Sequence, residues 1–198
     1  TRSDRDWSSD VCSSDLTPEE LYQKVLATFG DRRSNANRVV NDTGEIRRYS
    51  SPALLLIDTP RAQAATGQLD QLSRTGDRLA DLALESPMTR GTVSLVSLDG
   101  KPLRNSERML LTAVANAANR SIRADSSKGL LYDLGNAPVV AEPFTASIRL
   151  RNALPLKVYR LDPATGERTG EVQAERKGEE LSFKLTPDDR TIYFELAP

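Results

Sequence analysis

Histidine is absent from all 198 residues. That absence removes a Ser-His-Asp triad, a Cys-His pair and any His-ligated metal from this chain. No glycine-rich phosphate loop occurs either. Carboxylates are the acid-base groups that remain, and they stand as neighbours at Glu19-Glu20, Glu179-Glu180 and Asp188-Asp189. A glycosidase sets two carboxyl groups about 5–10 Å apart, facing each other across a cleft. Sequence neighbours do not meet that need, because on a strand they point to opposite faces and in a turn they point to water. All three pairs read as solvated. No catalytic residue, no cofactor-binding residue and no metal ligand is nominated, and no cofactor is expected.

The aromatic residues offer a different chemistry. Sugar-binding surfaces use exposed tyrosine or tryptophan rings as flat platforms for the apolar face of a pyranose. Tyr193 falls on the polar side of its strand, and Tyr159 lies on a strand whose inward face alternation does not settle. These two are the candidate carbohydrate contacts, set against the ordinary reading of tyrosines at the edge of a core. Asp58-Thr59-Pro60-Arg61 follows the most apolar run of the chain. It reads as a strand end made by Thr-Pro, with Arg61 paired to Asp58.

The one tryptophan and the one cysteine, Trp7 and Cys12, carry no weight. Asp6-Trp7-Ser8-Ser9-Asp10-Val11-Cys12-Ser13-Ser14-Asp15-Leu16 back-translates in a single frame onto a string that resembles a short-read sequencing adapter. The resemblance implies that residues 1–16 are a disordered artefact and that the reading frame was truncated ahead of Thr17.

The elements that must position the tyrosines begin with a helix start. Thr17 is a good N-cap, Pro18 suits the first helical position and Glu20 completes a capping box. Leu21, Val25 and Phe29 recur at every fourth residue and Gly30 is a natural stop, which predicts a helix over 18–29. A lone helix of that length is marginal in water. It reads as the end of a preceding domain, or as a terminal helix packed on the following sheet. With the polar stretch after it, it forms a segment over 17–37, distinct from a β domain over 38–198.

From Val39 onward, short runs of Val, Leu, Ile and Thr alternate with turn signals at intervals of about ten residues, the signature of an all-β, antiparallel β-sandwich. Turns are expected at Asn41–Gly44, Asp99–Pro102, Asp162–Gly166 and Thr186–Asp189. Strands are expected at 45–49, 79–85 and 92–98. Residues 53–57 and 109–115 are apolar on both faces, as in central strands; the second competes with a helix, and strand is favoured. Phe144, Ala146, Ile148 and Leu150 alternate with polar neighbours, as do Leu181, Phe183 and Leu185, and then Ile192, Phe194 and Leu196. Thr191, Tyr193 and Glu195 fall on the outward row. These late strands are expected to share one core with residues 39–125.

A net charge of −1 gives no electrostatic footprint for nucleic acid or for an anionic membrane surface. No apolar run approaches the roughly 20 residues that cross a bilayer.

Three segments together resemble a known architecture. They are Asn41–Arg47 leading to Ile57–Gln63, Val93–Leu103 leading to Arg108–Val114, and Lys157–Asp162 through Gly166 to Ile192–Leu196. Their order and spacing resemble the C-terminal region of large bacterial glycoside hydrolases, in which a catalytic barrel is followed by a β-sandwich. The resemblance implies that catalytic carboxylates lie upstream, on barrel strand ends, and that no catalytic role transfers to this chain. It implies an extracytoplasmic or secreted setting. The expectation is a non-catalytic accessory sandwich that packs against an upstream catalytic barrel of the same chain and stabilises it. An apolar patch around Leu21, Val25 and nearby sandwich residues is expected where the two meet. The alternative is an autonomous carbohydrate-binding or adhesion module, whose partner is a polysaccharide.

Overall fold

A computed structural model describes residues 17, 20, 37–125, 127–142 and 144–198. The predicted helix and the leader fall outside the described residues, apart from the helix start. There Glu20 is helical, its carboxylate accepts the Thr17 N–H at 2.7 Å, and the Thr17 hydroxyl accepts the Glu20 N–H at 3.3 Å. This is the capping box read from the sequence.

The rest is an antiparallel β architecture. Its strands are β1 (Arg38–Val40), β2 (Ile46–Tyr49), β3 (Leu54–Asp58), β4 (Ala62–Gly67), β5 (Leu82–Glu85), β6 (Gly91–Ser97), β7 (Met109–Val114), β8 (Ala117–Arg120) and β9 (Arg123–Asp125). They continue with β10 (Leu130–Asp133), β11 (Asn136–Ala141), β12 (Ala146–Arg151), β13 (Lys157–Leu161), β14 (Arg168–Val172), β15 (Ala174–Lys177), β16 (Glu180–Leu185) and β17 (Tyr193–Ala197). A nine-stranded sheet runs β1-β2-β3-β4-β6-β7-β17-β13-β14, and a four-stranded sheet runs β15-β16-β12-β5. The chain crosses between them repeatedly, so neither sheet is a local unit.

Period two explains the packing. Leu54 and Leu56, Val93 and Leu95, Met109 and Leu111, and Phe194 and Leu196 turn inward from the large sheet. Leu82 and Leu84, Ile148 and Leu150, and Leu181 and Phe183 turn inward from the small one. All belong to one buried cluster, completed by Leu69, Leu103, Phe144 and Leu156 from connecting segments. Each such side chain contributes about 1.5–3 kcal/mol on burial, which is why the two sheets hold together. The expected shared core is present, and residues 109–114 are strand rather than helix. The expected turn at 186–189 is a short 3₁₀ turn, capped by Thr186 and Asp189.

Two buried polar side chains stitch the layers. The Gln63 carbonyl accepts the N–H groups of Asp81 at 3.1 Å and Leu82 at 2.8 Å, joining β4 to the start of β5. Asn152 donates to the carbonyls of Leu103 at 2.6 Å and Ser106 at 3.0 Å, and its own carbonyl accepts the Leu154 N–H at 2.7 Å. Buried and hydrogen-bonded in this way, they are structural rather than catalytic. One glycine is obligatory. Gly67 has φ of +116°, and a Cβ there would lie 2.1 Å from the Ala53 carbonyl oxygen.

The outer face of the large sheet is only half covered. Leu55, Ile57, Val96, Leu110 and Val114 lie on it, partly exposed. The strands at 54–58 and 109–114 are interior in the sheet order, as expected of central strands, with one face fully buried and the other partly exposed.

Between β7 and β12 the chain leaves the sandwich as an arm. Strands β8 and β11 pair with each other, as do β9 and β10, and neither ladder joins the main sheets. The Glu142 N–H donates to the Asn116 carbonyl at 2.7 Å and closes the arm's base.

Candidate functional site

The outer face of the large sheet holds both candidate tyrosines. Register aligns Leu110, Glu195, Tyr159 and Glu171 in one row across β7, β17, β13 and β14. Tyr193 stands two residues before Glu195 on the same face and pairs with Thr112, which pairs with Ser94. Tyr159 and Tyr193 are therefore diagonal cross-strand neighbours, within reach of one surface. Both are half-buried.

Tyr159 is not a bare platform. The Arg168 guanidinium carbon lies 3.9 Å from its ring centroid, so one ring face is covered by a cation–π contact. Arg168 in turn donates its Nε–H to Glu195 Oε2 at 2.7 Å, and Arg108 donates its Nε–H to Oε1 at 2.5 Å. Glu195 occupies the outward row, as alternation requires, yet it is 5 % exposed because two guanidiniums lie over it. Burial alone would raise its pKa; the hydrogen bonds from Arg168 and Arg108, and their charges, outweigh burial and hold it below the usual range. The same contact raises the pKa of Arg168. Sequence reasoning nominated Tyr159 and Tyr193 and set Tyr193 on the outward row, but missed Arg108, Arg168 and the burial of Glu195. Arg108 is 87 residues from its partner in sequence, and no local pattern announces such a pair.

A second ionic cluster lies at the other end of the large sheet. Asp77 accepts hydrogen bonds from Tyr49 and from Arg38, the latter at 2.9 Å, with Arg47 Nε at 3.8 Å. Burial pushes Asp77 up, but these partners win and its pKa is lowered. Burial, then the hydrogen bond to Asp77, raises that of Tyr49. Asp58 pairs with Arg47 at 2.9 Å and accepts the Ala80 N–H at 3.0 Å. Arg47 takes the place expected for Arg61, because β2 lies beside β3 and its inward arginine reaches across. Thr59 and Pro60 do end β3: the Thr59 hydroxyl accepts the Ala62 N–H at 2.9 Å and the chain turns into β4.

The acidic pairs do not converge. Glu179 and Glu180 are exposed, and Asp189 caps its own turn by accepting the Thr186 N–H at 2.7 Å. Glu19 lies outside the described residues. A groove of about 900 Å³ along the corner where β14 passes to β15 contains several acids. Of these, Glu85 is paired with Arg149 at 3.0 Å and Glu171 with Lys157 at 3.4 Å. Among the described residues, no group of three His, Cys, Asp or Glu side chains is arranged to hold a metal.

The arm carries the other notable surface. Leu130, Leu131, Tyr132, Leu134, Val139 and Val140 are 49–66 % exposed. Adjacent residues of a strand face opposite ways, so Leu130 with Leu131, and Val139 with Val140, make both faces of the arm apolar. The sequence reading did not find this arm, because its apolar residues follow no single period.

These features define an antiparallel β-sandwich with an apolar arm and an arginine-bridged carboxylate on its large sheet. Compared with protein-family profiles, with curated proteins and with solved structures, the chain matches none.

Proposed function

We propose that this chain is a non-catalytic accessory sandwich of a carbohydrate-active glycoside hydrolase, which packs against the catalytic barrel of the same protein. The exposed arm is the observation that carries the reading. A surface with this many large apolar residues, on both faces of a ribbon, marks a docking element. The apolar patch expected around Leu21 and Val25 falls outside the described residues, and the arm is a separate apolar surface. The order of the three sequence segments supports a hydrolase parent. The commitment of Glu85, Glu171 and Glu195 to basic partners, in a chain without histidine, supports a non-catalytic role.

The test has two stages. Sequencing the locus upstream of Thr17 is expected to reveal repeating βα units; a continuous frame without them overturns the reading. The barrel, expressed separately, is then expected to co-purify with this chain. Substituting Leu131→Asp with Val139→Asp is expected to abolish co-purification while the circular dichroism of the sandwich is retained. Equal capture of the double variant would overturn the arm as the contact.

A further inference from the structure

The arginine-bridged carboxylate is built in a way that a simple surface ion pair is not. Glu195 is sunk beneath the sheet surface, and it engages each arginine through Nε alone. Among the described residues no hydrogen bond engages the terminal nitrogens of either guanidinium, and the two side chains are 65 % and 44 % exposed. The Tyr159 ring packs against the Arg168 guanidinium. Two positive forks on one buried negative charge leave a local excess of one positive charge. A planar fork held in place by its inner nitrogen loses little freedom when it binds an oxyanion in bidentate fashion.

The surroundings say what carries that oxyanion. Tyr193, Thr112 and Ser94 line up across β17, β7 and β6 on the same face, and the Thr66 and Thr92 hydroxyls lie 2.6 Å apart in the neighbouring row. A strip of hydroxyls running toward an arginine pair, flanked by the apolar Leu110 and Val114, suits a polyhydroxylated chain with a pendant acid group. We infer that Arg108 and Arg168, braced by Glu195 and Tyr159, form a binding site for an acidic polysaccharide, gripping its carboxylate or sulfate while the hydroxyl strip takes the neutral sugar. The inference rests on the carbohydrate-active reading above and names the class of glycan.

Native affinity electrophoresis of the full 198-residue chain tests it. Gels would contain polygalacturonate, dextran sulfate, neutral dextran or polyglutamate. Retardation by one or both acidic glycans, and not by neutral dextran, is expected, and the one that retards identifies the oxyanion. R108Q and R168Q are each expected to weaken apparent affinity by about tenfold or more. R168K keeps the charge but loses the fork and the stacking, and is expected to lose nearly as much. R149Q removes an equally exposed arginine from the small sheet and is expected to change nothing. Retardation by neither acidic glycan overturns the site, as does equal loss in R149Q or full binding by R108Q with R168Q combined. Binding of polyglutamate as tight as that of the glycans overturns the sugar assignment. The co-purification test uses arm residues only, so a failure here with intact docking removes this inference and leaves the accessory role standing.

Discussion

Glu195 shows how a residue on the polar side of a strand comes to be buried. Alternation in β17 sends Phe194 and Leu196 to the core and Glu195 outward. Nothing in that pattern calls for coverage; Arg168 from β14 and Arg108 from the segment before β7 provide it. A carboxylate covered in this way must be compensated, and two charge-assisted hydrogen bonds do so. Its folded pKa lies below the ordinary value, so its contribution is complete above the unfolded pKa of about 4.3 and is lost as pH falls through the folded one. Glu195→Gln is expected to lower stability at pH 7 by about 1–2 kcal/mol, a figure reduced because both arginines are well solvated. The gap should narrow as pH falls below about 4.3, where the unfolded carboxyl takes up a proton before the native one does. Urea midpoints for both proteins at pH 7 and pH 3 check this. A gap that stays constant would mean that shape, not charge, is what Gln fails to reproduce.

At the scale of elements, the arm from β8 to β11 stands apart energetically. None of its described residues joins the buried cluster, and its base is closed by the bond between Glu142 and Asn116. Replacing residues 117–141 with a short Gly-Ser turn is expected to shift stability by no more than about 1 kcal/mol. The same change should reduce binding of an apolar dye. A thermal melt followed by circular dichroism, with dye fluorescence alongside, checks both; a large loss of stability would show the arm to be part of the core. Legibility followed the same division. Strands β12, β16 and β17 were readable because each buries one face and wets the other, so apolar and polar residues alternate. The small residues of β4, the polar residues of edge strands β14 and β15, and the aperiodic apolar residues of the arm gave no such signal. Tyr193 could be placed by alternation, but the face of Tyr159 and the arginine neighbours could not, because strand order, not spacing, brings Arg108 to Glu195.

The whole molecule is held by a topology in which the last strand is central. Strand β17 lies between β7 and β13, so the large sheet is continuous only when the C-terminal residues are in place. Its inward side chains Phe194 and Leu196 are among the most buried of the core. Losing side chains of this kind costs about 3–5 kcal/mol for the phenylalanine and 2–5 kcal/mol for the leucine. Removing the strand also breaks two ladders and strips Glu195 from its arginines. Set against a typical stability of about 5–15 kcal/mol, that loss leaves little or nothing. Truncation after Arg190 is therefore expected to abolish the cooperative melt, whereas replacement of the much longer stretch 117–141 leaves it intact. Far-UV circular dichroism melts of the two variants side by side check the contrast. A sigmoidal transition in the truncated chain near that of the parent would show that the two sheets do not depend on β17 to close their common core.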